Sequence, residues 1–183
     1  MTPTRLALVA YTLALGVIIV DQITKAWMLF GLHLREVGQI LVLDPWFNLS
    51  FVLNRGVSFG LLTGGETGRW LLTAFSILVA GGLAWWARRA DRPLLALALG
   101  SVIGGALGNV IDRIRFGGVV DFLDFSGIGF PWVFNVADSA ISIGVVLLIL
   151  DSLLSERRAK QQADAAKRRD DAAASVGAAP EKS

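Results

Sequence analysis

Two carboxylates held close together resist losing both protons, so one stays protonated while the other can take a proton from water. In an aspartic hydrolase the ionised member activates a water molecule. The protonated member hydrogen-bonds the carbonyl under attack, and no covalent intermediate is needed. Asp121 and Asp138 are the candidates for such a pair. Each also has a plainer reading, as a helix cap or as the partner of Arg113 or Arg115. Asp21, Asp112, Asn54, Asn109 and Asn135 add polar groups that could support them. There is no cysteine and a single histidine, His33. Thiolate nucleophiles and sulfur-ligated metals are therefore excluded. A Ser-His-Asp triad or a two-histidine metal site would have to use that one residue. No metal and no cofactor is expected, and a chelator should have no effect.

The elements that must carry these groups are apolar. Of the 183 residues 54% are hydrophobic and 17% charged, against about 25% charged in a soluble domain. Four stretches are long enough to cross a bilayer, and spans are expected at about 6–26, 70–87, 94–112 and 133–152. The expected fold is an all-α membrane protein with one domain over 1–155. A cleavable signal peptide is a poor account of the first stretch, because no small-residue cleavage site follows and three more spans do. With the N-terminus in the cytoplasm, 11 of the 17 Lys and Arg fall inside, as the positive-inside rule requires. All six tryptophans lie near span ends or outside the spans. The net charge of +2 forms no patch that points to nucleic acid.

Residues 36–60 read differently. Phe47, Leu49, Phe51 and Leu53 alternate with Asn48, Ser50, Val52 and Asn54, the period of a strand with one apolar face. This β-like segment is expected on the outer membrane surface. The Gly-rich, aromatic run 115–131 is expected to form a second outer element, a short helix or loop. Residues 156–183 offer no apolar face and are expected to be a disordered cytoplasmic tail.

In that topology Asp21, Asp112, Asp121 and Asp138 all lie at the outer leaflet, with the three asparagines. Ionisable groups at membrane depth are costly and usually functional. Gly100, Gly104, Gly108 and Asp112 recur every four residues and share a helix face; Gly105 and Asn109 lie on the adjacent stripe with Asp112. Small residues so spaced let membrane helices approach closely. Lys25 reads as an i,i+4 partner of Asp21, Asp124 as a surface residue, and Asp44-Pro45 as a turn.

Five blocks in order carry a resemblance. They are Asp21-Gln22-Ile23-Thr24-Lys25, then Asn54-Arg55-Gly56 running on through residue 60, then Gly104 to Arg113, then Val119-Val120-Asp121-Phe122, and finally Phe134-Asn135-Val136-Ala137-Asp138 running on through Ile141. Over about residues 5–155 the chain resembles the lipoprotein signal peptidase family, signal peptidase II. The resemblance implies a four-span aspartic peptidase of the bacterial inner membrane, with both termini cytoplasmic. It implies removal of the signal peptide from a prolipoprotein, just before a cysteine that already carries diacylglyceryl. It assigns the catalytic dyad to Asp121 and Asp138. Substrate binding or dyad support falls to Asp21, Lys25, Asn54, Gly56, Asn109, Asp112, Arg113 and Asn135. Residues 36–60 match an outer cradle for the substrate. The expected partners are the lipid-modified precursor and membrane lipid, with the enzyme a monomer.

Two other readings compete. A serine-lysine peptidase would use Lys25 with Ser58 or Ser139, and Lys25→Met should then abolish activity rather than reduce it. A small transporter would place charges along a path through the membrane, whereas here they lie in one layer.

Overall fold

The computed structural model describes residues 4–56 and 66–177, with side chains through residue 165. Helix α1 (Arg5–Ala26) starts where the Thr4 hydroxyl accepts the Ala7 amide at 3.1 Å, replacing a bond the first turn cannot make for itself. The same hydroxyl donates to the Ala90 carbonyl. Helix α1 runs on into a π-helical turn, Trp27–Gly31, and a one-turn helix α2 (Leu34–Val37) follows. His33, in the left-handed conformation, precedes α2. Strands β1 (Gln39–Leu43) and β2 (Phe47–Asn54) form a hairpin whose turn carries the cis bond Asp44-Pro45.

Helices α3 (Glu66–Ala87) and α4 (Pro93–Phe116) come next. Helix α4 opens on a proline, which needs no amide partner there, and stops at Gly117, whose φ of +76° few other residues would adopt. Strand β3 (Val119–Asp124), a short 3₁₀ turn, strand β4 (Val133–Phe134) and helix α5 (Val136–Gly177) complete the chain. The sheet is antiparallel throughout, in the order β1-β2-β3-β4.

Among the described residues, α1 with its π turn, α3, α4 and α5 are the four helices long and apolar enough to cross a membrane. Helix α4 is the hub, and α1, α3 and α5 pack around it. Lipid tails are as apolar as leucine, so close packing must hold the helices together. On α1 the buried stripe is Ala7, Ala10 and Ala14. A Cβ on Gly100 would lie 2.6 Å from the Ala10 carbonyl oxygen, and one on Gly104 2.7 Å from that of Ala14. The four-residue glycine spacing thus faces α1. Gly105, on the adjacent stripe, faces Ala137 and Ile141 of α5. Leu15, Ile23, Leu78 and Val146 remain exposed on the outsides of the helices, a surface that suits lipid as solvent.

The sheet sits at the end of the bundle where α1 and α4 finish and α5 begins. Its inner face packs Leu49 and Phe122 on Met28 and Leu34. Asn48 departs from the expected alternation: it is buried, its Oδ1 taking the Val42 amide and its Nδ2 donating to Asp44 across the hairpin.

Three expectations need correction. The fourth helix starts at Val136 rather than 133, because Val133–Phe134 pair with Leu123 and Asp124 as a strand. The run 115–131 carries a short helix as expected, the 3₁₀ turn Ser126–Ile128, but it also contributes β3 to the same sheet as β1 and β2. Of the tail expected to be disordered, residues 156–177 are helical and continuous with α5, and 178–183 lie outside the described residues. Ala, Lys, Arg and Gln are good helix formers, and they extend a helix already nucleated in the bundle.

Candidate active site

Asp121 is set by what holds β3. Its register pairs it with Val52 of β2, and Val120 with Leu53. The other edge of β3 lacks a strand partner at Val120, since β4 reaches only Leu123 and Asp124. Side chains fill the gap. Asp112 Oδ2 accepts the Val120 amide at 3.0 Å, and Asn135 Nδ2 reaches the Val120 carbonyl at 3.3 Å. Two residues from separate helix ends thus stand in for a strand beside the residue before Asp121.

Asp138 is set by the start of α5. Asn135 is the cap, its Oδ1 taking the Asp138 amide at 2.8 Å, so Asp138 occupies the third position of the first turn. The Ala137 amide is taken by Asp21 Oδ1 at 2.9 Å. Two of the helix's orphan N–H groups are thereby satisfied by residues of the site itself.

Asn135 joins the two aspartates. Its Nδ2 donates to Asp121 Oδ1 at 2.6 Å while its Oδ1 holds the Asp138 backbone. Asn109 Nδ2 donates to Asp138 Oδ1 at 2.8 Å, and its own Oδ1 receives Asn135 and Lys25 at 3.3 Å each. Asn54 approaches Asp121 from β2. Its Oδ1 is occupied by the Gly56 amide at 3.0 Å, which leaves its NH₂ to donate to the carboxylate. Gly56 makes that turn at φ +80°, a conformation costly for a residue with a Cβ.

Burial pushes the Asp121 carboxyl up to about 7, and the charge of Asp138 pushes the same way; hydrogen bonds from Asn54 and Asn135 and the charge of Lys25 oppose them. Asp121 is 1% exposed. Arg113 forms no hydrogen bond or salt bridge among the described residues; its charge faces Asp138, Asp112 and Asp121. A cavity of about 380 Å³ opens onto Asp121, lined on one side by Asn54 and Arg55 and on the other by Pro131, Trp132 and Val133.

Beneath the aspartates lies a buried ion cluster. Lys25 Nζ is 2.8 Å from Asp21 Oδ2 and 2.7 Å from Asp112 Oδ2, and Asp21 and Asp112 have no exposed surface. Lys25 thus keeps its expected i,i+4 partner and gains a second. Removing it would leave two buried carboxylates short of a countercharge, at a cost of about 3–5 kcal/mol. The Lys25→Met comparison is therefore confounded by stability. The serine-lysine reading loses ground on geometry, because Lys25 is committed to two carboxylates and the Ser139 hydroxyl to the Asn135 carbonyl at 2.9 Å. Ser58 lies outside the described residues.

All ten candidate residues thus belong to one end of the bundle, with Gly56 acting through Asn54. Asp124 differs from expectation. It is buried, held by Ser50 at 2.5 Å and by the Ser126 amide at 2.9 Å, and these bonds draw its carboxyl below the usual range. It pairs opposite Asn48. Sequence reading gave Gln22 no role, although it bonds both Asp21 and Asp112; its place between Asp21 and Lys25 in the first block was the available signal.

Comparisons with known proteins agree with one another. The family model described as signal peptidase (SPase) II matches residues 13–154. A lipoprotein signal peptidase of Caulobacter vibrioides is 55% identical over 154 residues, covering 84% of this chain and 91% of the relative. One from Methylobacterium radiotolerans is 49% identical over 160 residues, covering 86% and 91%. A solved bacterial membrane enzyme superposes with a TM-score of 0.68 at 30% identity, covering 80% of this chain and 88% of that one.

Proposed function

The chain belongs to the signal peptidase II family, and from that premise we propose that it is an aspartic endopeptidase that frees diacylglyceryl-modified prolipoproteins from their signal peptides. The observation that carries the aspartic reading is the Asn135 bridge, which ties the Asp121 carboxylate to the Asp138 backbone within one hydrogen-bonded unit. Asp121, raised to about 7, holds the shared proton and donates it to the scissile carbonyl. Asp138, held by Asn109, takes a proton from the attacking water. The water oxygen bonds to the carbonyl carbon; the C–N bond then breaks, and the amine leaves with a proton from the dyad. Arg113 offers positive charge near the developing oxyanion.

The site faces the outer leaflet of the bacterial cytoplasmic membrane, with the N- and C-termini in the cytoplasm and the enzyme a monomer. This reading accounts for the arginines at the α3–α4 turn and for a lipid-bearing substrate that meets the enzyme at the membrane surface. The four-stranded sheet serves as the cradle, its open side at Val52 and Asn54, beside the cavity at Asp121, toward the substrate. Cleavage of a diacylglyceryl-modified precursor should be measured beside its unmodified form in the same bilayers. The modified form should be cut with a kcat/KM at least about tenfold higher, on the order of 1.4 kcal/mol of discrimination. Equal rates would remove the lipid from the substrate definition.

A further inference from the structure

We infer that Gln22, oriented by Arg115, is a positioning residue that fixes the spacing of Asp121 and Asp138. The inference rests on the dyad reading. Gln22 lies half-buried on α1, one residue after Asp21. Its Nε2 donates to Asp112 Oδ1 at 2.9 Å and lies 3.2 Å from Asp21 Oδ2 and 3.3 Å from the Gly108 carbonyl. Its Oε1 accepts Arg115 NH1 at 3.3 Å.

An amide has two unlike ends. A guanidinium can only donate, so Arg115 selects Oε1 and turns the NH₂ toward the carboxylates. Reversed, the amide would set its oxygen lone pairs against two buried anions.

The two carboxylates are the handles of the site. Asp112 holds the Val120 amide, next to Asp121, and Asp21 holds the Ala137 amide, next to Asp138. Lys25 neutralises both, but on the Oδ2 atoms alone. Among the described residues only Gln22 hydrogen-bonds Asp112 Oδ1. Without it that oxygen has no partner, and the carboxylate can rotate about its own axis and let go of Val120. Strand β3 would then shift relative to α5, and Asp121 relative to Asp138. The effect belongs to the chemical step and not to substrate binding.

The test measures kcat and KM for the full chain in bilayers on a diacylglyceryl-modified precursor. The variants are Gln22→Leu, Arg115→Met, Arg115→Lys and the double variant Gln22→Leu/Arg115→Met, with Asp121→Asn beside them. A shift of about 1 Å at reacting groups costs on the order of a hundredfold, so Gln22→Leu should lower kcat by about ten- to a hundredfold while KM stays within about twofold. Arg115→Met should lower kcat less, and Arg115→Lys, which keeps a donor for Oε1, should restore it. The double variant should be no slower than Gln22→Leu alone, since Arg115 acts through Gln22. An unchanged kcat in Gln22→Leu, a change confined to KM, or additive losses would overturn the inference. Arg115 is exposed, so should Gln22→Leu not fold, the Met and Lys variants at 115 decide alone. Near-normal cleavage by Asp121→Asn would instead sink the dyad reading, whatever Gln22 does.

Discussion

Asp121 is where chemistry and stability pull in opposite directions. Its carboxyl, 1% exposed and facing Asp138, is raised to about 7, against about 3.9 in an unfolded chain. A carboxyl raised on folding binds its proton more tightly in the native state. Its favourable contribution is complete below about pH 4 and is lost as pH climbs through about 7. The protein should therefore lose stability across that window, and Asp121→Asn should remove the loss. In membranes or micelles the variant's melting temperature should exceed the wild type's at pH 8 by an amount worth a few kcal/mol, and the two should converge near pH 4. A variant that melts lower at pH 8 would mean that Asp121 sits comfortably as an anion. Asp124, three residues along the same strand, is the contrast: hydroxyl and amide donors from Ser50, Ser126 and Gln39 keep it anionic, and it serves the fold.

The elements differ in how much the sequence reveals of them. Helix α4 was legible because its close contacts leave a pattern: glycine every fourth residue where α1 approaches, and Gly105 and Asn109 on the next stripe where α5 approaches. Strand β2 showed its alternation because one side packs on Met28 and Leu34 while Val52 and Asn54 stay open. Strand β3 did not. Val119, Val120, Asp121 and Phe122 are all buried, and burial on both faces erases the period of two. Strand β4, two residues long, is too short to carry any period. Asp121 lies on one of these less legible pieces, so it had to be found from residue type and motif. Gly108 links element to site. A Cβ there would lie 2.7 Å from Asp21 Oδ2, so Gly108→Ala should push that carboxylate off the Ala137 amide and Lys25. Stability should drop by about 1–3 kcal/mol, with a fall in kcat, both readable on purified protein. Wild-type values for both would show that the α1–α4 contact has slack.

At the scale of the whole molecule, four apolar helices support a small sheet at one end, and the candidate residues come to that end from α1, β2 and the turn after it, α4, β3 and the start of α5. Hydropathy and span length make such a bundle readable from sequence. The charged continuation of α5 was not readable, because charge patterning alone does not say whether a neighbouring helix will propagate into it. The bundle leaves Asp121 and Asp138 on separate elements, β3 and α5, and links them through Asn135, Asn109 and the Lys25 cluster. Catalysis by this family member should accordingly need both carboxyls together. The most direct check is single-turnover cleavage of a lipid-modified precursor by wild type, Asp121→Asn and Asp138→Asn, each confirmed as inserted and folded. Both variants should fall to background. Substantial cleavage by either folded variant would contradict the account.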